Sequence, residues 1–197
     1  MLSHFRSKEV FVISSNEKLI AYIRENLPDG DYSVAACAAG GTEARQKMMD
    51  GHYAVIIVNL PLSDESGTEL VSDFAENTTG SVIAVVRAEQ EDEMRNYLEP
   101  FGVFVLGKPF PHSVFHQTLY DASAAYARLT AVTMENQRLQ TKLLDQRVIN
   151  RAKWALIRYV GMDEDTAHKF IEQQAMNLRI SKRTAAENIL KTYEHNG

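Results

Sequence analysis

Two groups of residues in this 197-residue chain have types and spacings that could do chemistry. In the last third, Arg147, Arg151, Lys153 and Arg158 fall along one helical stretch, and Arg179, Lys182 and Arg183 cluster at a turn further on. Such side chains neutralise phosphates, and guanidinium planes stack on unpaired bases, so the chemistry they offer is recognition of a nucleic acid. Within the first 110 residues, Ser14, Ser15, Asn59, Arg87 and Lys108 each stand at the end of a short apolar run. Hydroxyls, one amide and two cations are poor ligands for a hard divalent ion, and an amide oxygen is a weak nucleophile. No paired carboxylates, metal-ligand spacing or nucleophile elbow is apparent, so no catalytic site, metal or cofactor is expected. The single cysteine, Cys37, excludes an internal disulfide framework and a cysteine-based zinc site.

These groups need elements to position them, and the composition supplies a globular chain. Hydrophobic residues make up 45% and charged residues 24%, which excludes wholesale disorder. The length suits one large or two small domains. No apolar run approaches the ~20 residues that span a bilayer, and the opening MLSHFRSKEVFVISS lacks the long apolar region of a signal peptide. A soluble cytoplasmic protein without a membrane partner is the expectation. The net charge of −5 is uneven: residues 1–113 hold 9 basic and 17 acidic side chains, residues 114–197 hold 12 and 9. An acidic front and a mildly basic back suggest two modules, with any polyanion meeting the second.

The front module alternates β-branched runs with helical spacing. The runs are Val10–Ser14, Ser33–Cys37, Ala54–Val58, Val82–Val86 and Val103–Leu106, and helices are predicted over Lys18–Leu27, Thr42–Asp50 and Gly67–Glu76. Continuous apolar strands between amphipathic helices predict an α/β, doubly wound, five-stranded parallel sheet covered on both faces. In such sheets the site lies beyond the C-terminal strand ends, which is where Ser14, Ser15, Asn59, Arg87 and Lys108 fall.

Between Pro111 and Gly161 there is no proline or glycine, so a helix of about 50 residues and roughly 75 Å is predicted. A 3-4 spacing runs through Phe115, Thr118, Ala122, Ala125, Leu129, Val132, Asn136, Leu139, Leu143 and Gln146. That is a coiled-coil seam, and Asn136 is the kind of polar residue that fixes register and a two-stranded state. Phe115 to Ala125 would cover the sheet. Leu129, Val132, Asn136, Leu139 and Leu143 are left for a parallel homodimer, the alternative being intramolecular packing on the front module. Beyond Gly161, Asp163 and Ser181 can cap two short helices. Their expected faces are Ala167, Phe170, Ile171, Gln174 or Ala175 and Leu178, and then Ala186, Ile189, Leu190 and Tyr193. With Ile149, Ala152, Leu156 and Val160 they make a minimal three-helix core.

The stretches VFVISS, VIIVNLPLSDESG, IAVVRA and VFVLGKPF make residues 7–120 resemble a bacterial response-regulator receiver domain. The resemblance implies a flavodoxin-like sheet and a cis peptide at Lys108–Pro109. In active receivers two acids end the first strand and hold Mg²⁺, an aspartate ending the third accepts phosphate, and a Thr or Ser and a Lys read it. Here Ser14 and Ser15 stand at the acidic pair, Asn59 at the phosphoacceptor and Arg87 at the Thr/Ser; only Lys108 is kept. The expectation is a pseudo-receiver that accepts no phosphate. Lys108 and Arg87 then lack a counter-charge, so at least one of them should swing out or pair elsewhere; Glu17, Asp64 and Glu65 are nearby in sequence.

Residues 140–195 resemble the ANTAR family of RNA-binding antitermination modules. The likeness is carried by LLDQRVINRAKWAL, by GMDEDTAHKFIEQQAM with its Gly–x–x–Glu–x–x–Ala step and later Ala–Met, and by NLRISKR before AAENIL. It implies binding of stem-loops in a messenger leader, with Arg147 and Lys153 matching the family stretch. Trp154 stands where the family usually has glycine, and would fill a dimer or receiver contact or stack on a nucleobase. The expected organisation is a pseudo-receiver over 1–120, a coiled-coil linker over 121–146 and an RNA-binding module over 147–197. The expected function is a dimeric antitermination regulator, its input being a protein partner or its own concentration; the acidic Glu89–Glu93 run is a candidate docking face. The alternative is a protein-interaction adaptor without nucleic acid. DNA binding is weaker still, because AAENILKTYEHNG carries one lysine against two glutamates.

Overall fold

A computed structural model describes residues 7–194, so the outer ends of the expected 1–120 and 147–197 domains, and the last residues of AAENILKTYEHNG, lie outside the described residues. The chain forms two compact units that divide between Ala131 and Val132.

In the first unit, β1 (Lys8–Ile13), β2 (Tyr32–Ala38), β3 (Val55–Asn59), β4 (Ser81–Arg87) and β5 (Phe104–Lys108) pair in parallel in the order β2-β1-β3-β4-β5. Strand order reverses beside β1, which places the switch point between β1 and β3. The strands read as continuous apolar runs because both faces are covered. Phe11, Ile13, Ile56, Val58, Ala84 and Val86 face one layer; Val10, Val12, Val55, Ile57, Ile83 and Val85 face the other. The first layer is built by α2 (Gly41–Asp50), α3 (Thr68–Asn77) and α4 (Glu91–Leu98), through Ala44, Leu70, Val71, Phe74 and Leu98. The second is built by α1 (Glu17–Glu25) and the start of α5 (His112–Ala155), through Ile23, Phe115, Leu119 and Ala122. The helix edge facing the sheet therefore runs through Leu119 rather than the Thr118 of the predicted seam. A buried hydrogen bond of 2.7 Å between the Tyr32 and Ser123 hydroxyls ties α5 to β2.

Loops at the C-terminal strand ends are shaped locally. Asn16 caps α1, its Oδ1 accepting from the Lys18 and Leu19 amides. The Leu60–Pro61 and Lys108–Pro109 bonds are cis; the second matches what the receiver resemblance implies. Gly67 opens α3 at φ +80°, and a Cβ there would sit 2.5 Å from Leu60 Cδ2. Left-handed backbone and a filled contact shell both require glycine at that point. Gly67→Ala is expected to cost roughly 1–3 kcal/mol, read as a lower urea midpoint of the receiver unit.

The second unit packs the end of α5 against α6 (Glu164–Leu178) and α7 (Lys182–Glu194). The Asp163 carboxylate caps α6 by accepting from the Thr166 amide at 2.7 Å, and that bond holds its pKa below the ordinary aspartate value. Ala152, Leu156, Ala167, Ile171, Ala175, Ala186, Ile189 and Leu190 are buried, as read from their spacing, and Ala185 joins them. Two expected core residues are not there: Val160 is 43% and Leu178 58% exposed. For Val160 the reason is a π-helical turn over Leu156–Val160, which ends the α-helical register at Ala155 before Gly161 closes it at φ +75°. The wider turn rotates Val160 off the core face. Leu178 is the last residue of α6, where Ala175 already fills the contact and Arg179 turns the chain in left-handed backbone. Among the described residues no helix is long and apolar enough to cross a membrane.

Candidate functional site

The strand ends bring three of the five expected pocket residues, Ser14, Asn59 and Lys108, into one hydrogen-bonded group, with Arg87 beside Lys108. Ser14 follows β1, Asn59 ends β3, and Arg87 and Lys108 end β4 and β5 in register with each other. Lys108 Nζ donates to Asn59 Oδ1 at 2.6 Å and reaches the Leu60 carbonyl at 3.4 Å. Asn59 Nδ2 donates to Ser14 Oγ at 3.0 Å, and the Asn16 amide donates to the same oxygen. Ser14 and Asn59 are buried, Lys108 is half-buried, and Ser15 and Arg87 are exposed. Burial, and then the neighbouring Arg87 guanidinium, hold the Lys108 ammonium below the ordinary lysine pKa. The two cations thus divide: Lys108 stays inside on neutral oxygens and Arg87 faces solvent.

None of the three carboxylates close in sequence supplies the missing charge. Asp64 accepts from the Gly41 and Thr42 amides at the start of α2, which lowers its pKa, and Glu65 is bound to Arg45 at 2.8 Å. Glu17 is exposed in the first turn of α1. The magnesium ion that a receiver implies does not fit these residues. Both lone pairs of Ser14 Oγ are taken by N–H donors, and Asn59 Oδ1 faces an ammonium. A hard dication needs carboxylate or free carbonyl oxygens.

Asn59→Asp places a carboxylate against Lys108 Nζ. It is expected to raise stability by about 1 kcal/mol, a charge-assisted bond discounted for partial exposure. Thermal melts at neutral pH read this gain. Magnesium should leave the variant's melt unchanged, because the end of β1 still offers only serines.

In the second unit the seven expected cations differ in their surroundings. Lys153 is tied to Glu164 at 2.9 Å with its side chain only 15% exposed. Lys182 is paired with Glu172, and Arg183 with Asp145 at 3.0 Å and Glu187 at 2.9 Å. The Lys153 and Lys182 pairs lower the Glu164 and Glu172 pKa values. Arg147, Arg151, Arg158 and Arg179 are exposed, Arg179 in left-handed backbone at φ 53°. Steps of four and three residues set Arg147, Arg151 and Trp154 on one face of α5, and Trp154 is 71% exposed. Arg158 follows on the π turn, its guanidinium 5.7 Å from the Tyr159 ring, which stacks on Tyr193 at 6.2 Å and an interplanar angle of 6°. The spacing of cations left this Arg158–Tyr159–Tyr193 stack unread, since its members come from two elements. On α5, the seam residues Leu129, Val132, Leu139 and Leu143 are 45%, 63%, 48% and 64% exposed, and Asn136 is exposed.

Comparison with known proteins finds two family matches. The response regulator receiver domain matches residues 10–120, and the ANTAR domain matches residues 137–190. The transcriptional regulatory protein PdtaR of Mycobacterium tuberculosis is 25% identical over 182 residues, covering 92% of this chain and 89% of its own. The receiver domain of an HD domain-containing protein from Pseudomonas fluorescens superimposes with a TM-score of 0.57 at 16% identity, over 65% of this chain and 95% of its own. A CheY-like receiver domain protein from Methanospirillum hungatei gives 0.54 at 15% identity, over 62% and 98%. With its sheet order and the match over residues 10–120, the chain belongs to the response regulator receiver family and carries an ANTAR domain behind its receiver.

Proposed function

We propose that this protein is a cytoplasmic RNA-binding antitermination regulator, a regulator and not an enzyme, that engages messenger-leader stem-loops as a homodimer and works without phosphorylation of its receiver. The observation that carries the reading is the exposed Arg147–Arg151–Trp154 face of α5 inside the stretch matched by the ANTAR domain. Guanidinium groups beside an unpacked indole suit a stem-loop, where phosphates meet unpaired bases that need a stacking surface. Support for a second copy comes from the seam, whose leucines and valine lie open to solvent around Asn136. Two modules held together can engage two stem-loops with the gain of effective concentration. Support for phosphate independence comes from Asn59, whose amide oxygen cannot form an acyl phosphate and already accepts from Lys108.

The test is a gel-shift titration of the full chain against a tandem stem-loop leader RNA, at two salt concentrations, with and without acetyl phosphate. The expected result is binding that falls steeply with salt and ignores the donor. Binding switched on by the donor would overturn phosphate independence, and absence of binding to leader RNA would turn the reading to a protein-interaction adaptor.

A further inference from the structure

His112 and His116 stand four residues apart at the start of α5, so they share one face of that helix. Their rings approach to 3.9 Å between centroids at an interplanar angle of 44°. His112 is exposed, whereas His116 is half-buried and held from other sides as well. Its Nε2 lies 2.7 Å from the carbonyl of Asn26, the residue that ends α1, and the Tyr120 ring meets it edge-on at 6.1 Å. A carbonyl only accepts, so Nε2 carries the proton and Nδ1 keeps its lone pair. Metal-ligating histidines are oriented in this way: one ring N–H goes to a backbone carbonyl, which makes the other nitrogen a better ligand. His168 also faces a residue four places on, Glu172 at 3.4 Å, but that carboxylate is already paired with Lys182. Spacing alone left the His112–His116 pair unread; the ring approach and the Asn26 carbonyl single it out.

We propose that His112 and His116 form a two-histidine site for a divalent transition-metal ion of the zinc class. Imidazole nitrogen selects such ions over magnesium and calcium, which take carboxylate and carbonyl oxygens. Two nitrogens each ~2.1 Å from a tetrahedral zinc stand roughly 3.3 Å apart. The facing rings reach that separation by a turn of the exposed His112, with His116 left on its carbonyl. Among the described residues no third histidine, cysteine or carboxylate joins the pair, so water completes the coordination. A helix start opposes a cation, but that effect is modest and screened at the surface, whereas both imidazole bonds form together. Bound metal would fix the first turns of α5 and, through the His116 ring, their contact with the end of α1.

Isothermal titration of the full chain with zinc chloride in a non-coordinating buffer tests it, at neutral pH, where histidine is largely uncharged. The expected result is one saturable site that magnesium chloride does not compete for. Binding should be at least about tenfold weaker in His112→Gln and in His116→Gln. A variant combining His4→Gln, His52→Gln, His168→Gln and His195→Gln should keep the site at full strength. Zinc should raise the melting temperature of the unsubstituted receiver unit and leave that of His112→Gln unmoved; His112 is exposed, so this variant keeps its fold. Histidine ring resonances give an independent readout, with only the signals lost in His112→Gln and His116→Gln shifting in step with the heat. Equal binding in His112→Gln, loss of binding in the four-histidine variant, or no saturable site would overturn the proposal.

Discussion

Leu156→Ala is expected to cost the C-terminal unit about 2–5 kcal/mol. Leu156 is fully buried where the end of α5 meets α6 and α7. The core around it is built largely from alanines: Ala152, Ala155, Ala167, Ala175, Ala185 and Ala186. Alanines let the three helices approach closely, but they have no rotamers with which to fill a void, so the cavity stays open. A three-helix unit of this size has little stability in reserve. Thermal unfolding followed by far-UV circular dichroism should lose the transition of this unit or move it well below that of the receiver. Leu144→Ala is the control, because Leu144 is on the same helix yet 52% exposed; its effect should stay within about 0.5 kcal/mol. Coincident melts for Leu156→Ala and the unsubstituted protein would show that the core is not organised around this residue.

Much of this core, and nearly all of the sheet, is legible in the order of residues. The strands announce themselves because burial on both faces forces runs such as VIIV and VIAVV, and the polar residues after β1 and at the ends of β3, β4 and β5 fall at the pocket. The seam is less faithful. A strict 3.5-residue repeat drifts by about 20° per heptad on a straight helix, and the part of α5 that packs on the sheet follows Phe115, Leu119 and Ala122 instead of Thr118. The π turn at Leu156–Val160 has no sequence marker, and it moves Val160 off the core. Long-range pairings are the least visible. Asp64 capping α2, Lys153 reaching Glu164 and Arg183 reaching Asp145 each join different elements. Cations of equal promise by spacing therefore differ in exposure: Lys153 is tucked against Glu164, whereas Arg147, Arg151, Arg158 and Arg179 are exposed.

Exposure ranks the cations for RNA. Replacing Arg147 and Arg151 together with alanine is expected to weaken binding to a stem-loop leader by roughly 10–100-fold near physiological salt, and to flatten the slope of log affinity against log salt by roughly 1.5. Trp154→Ala is expected to lose a comparable amount, about 1–3 kcal/mol, with an unchanged slope, because stacking on a base releases no counterions. Lys153→Ala and Lys182→Ala should act differently. Their ammonium groups already meet Glu164 and Glu172, so removing them frees a carboxylate beside the RNA and unties the module, and the melt should shift with the affinity. Fluorescence anisotropy titrations over a salt series, paired with a melt for each variant, distinguish the two behaviours. A Trp154→Ala protein that binds RNA unchanged but sediments as a lighter species would assign the indole to the contact between copies. A lysine variant that lowers the salt slope without moving the melt would return the phosphate contacts to Lys153 or Lys182, and with them the recognition surface to the α6–α7 side of the module.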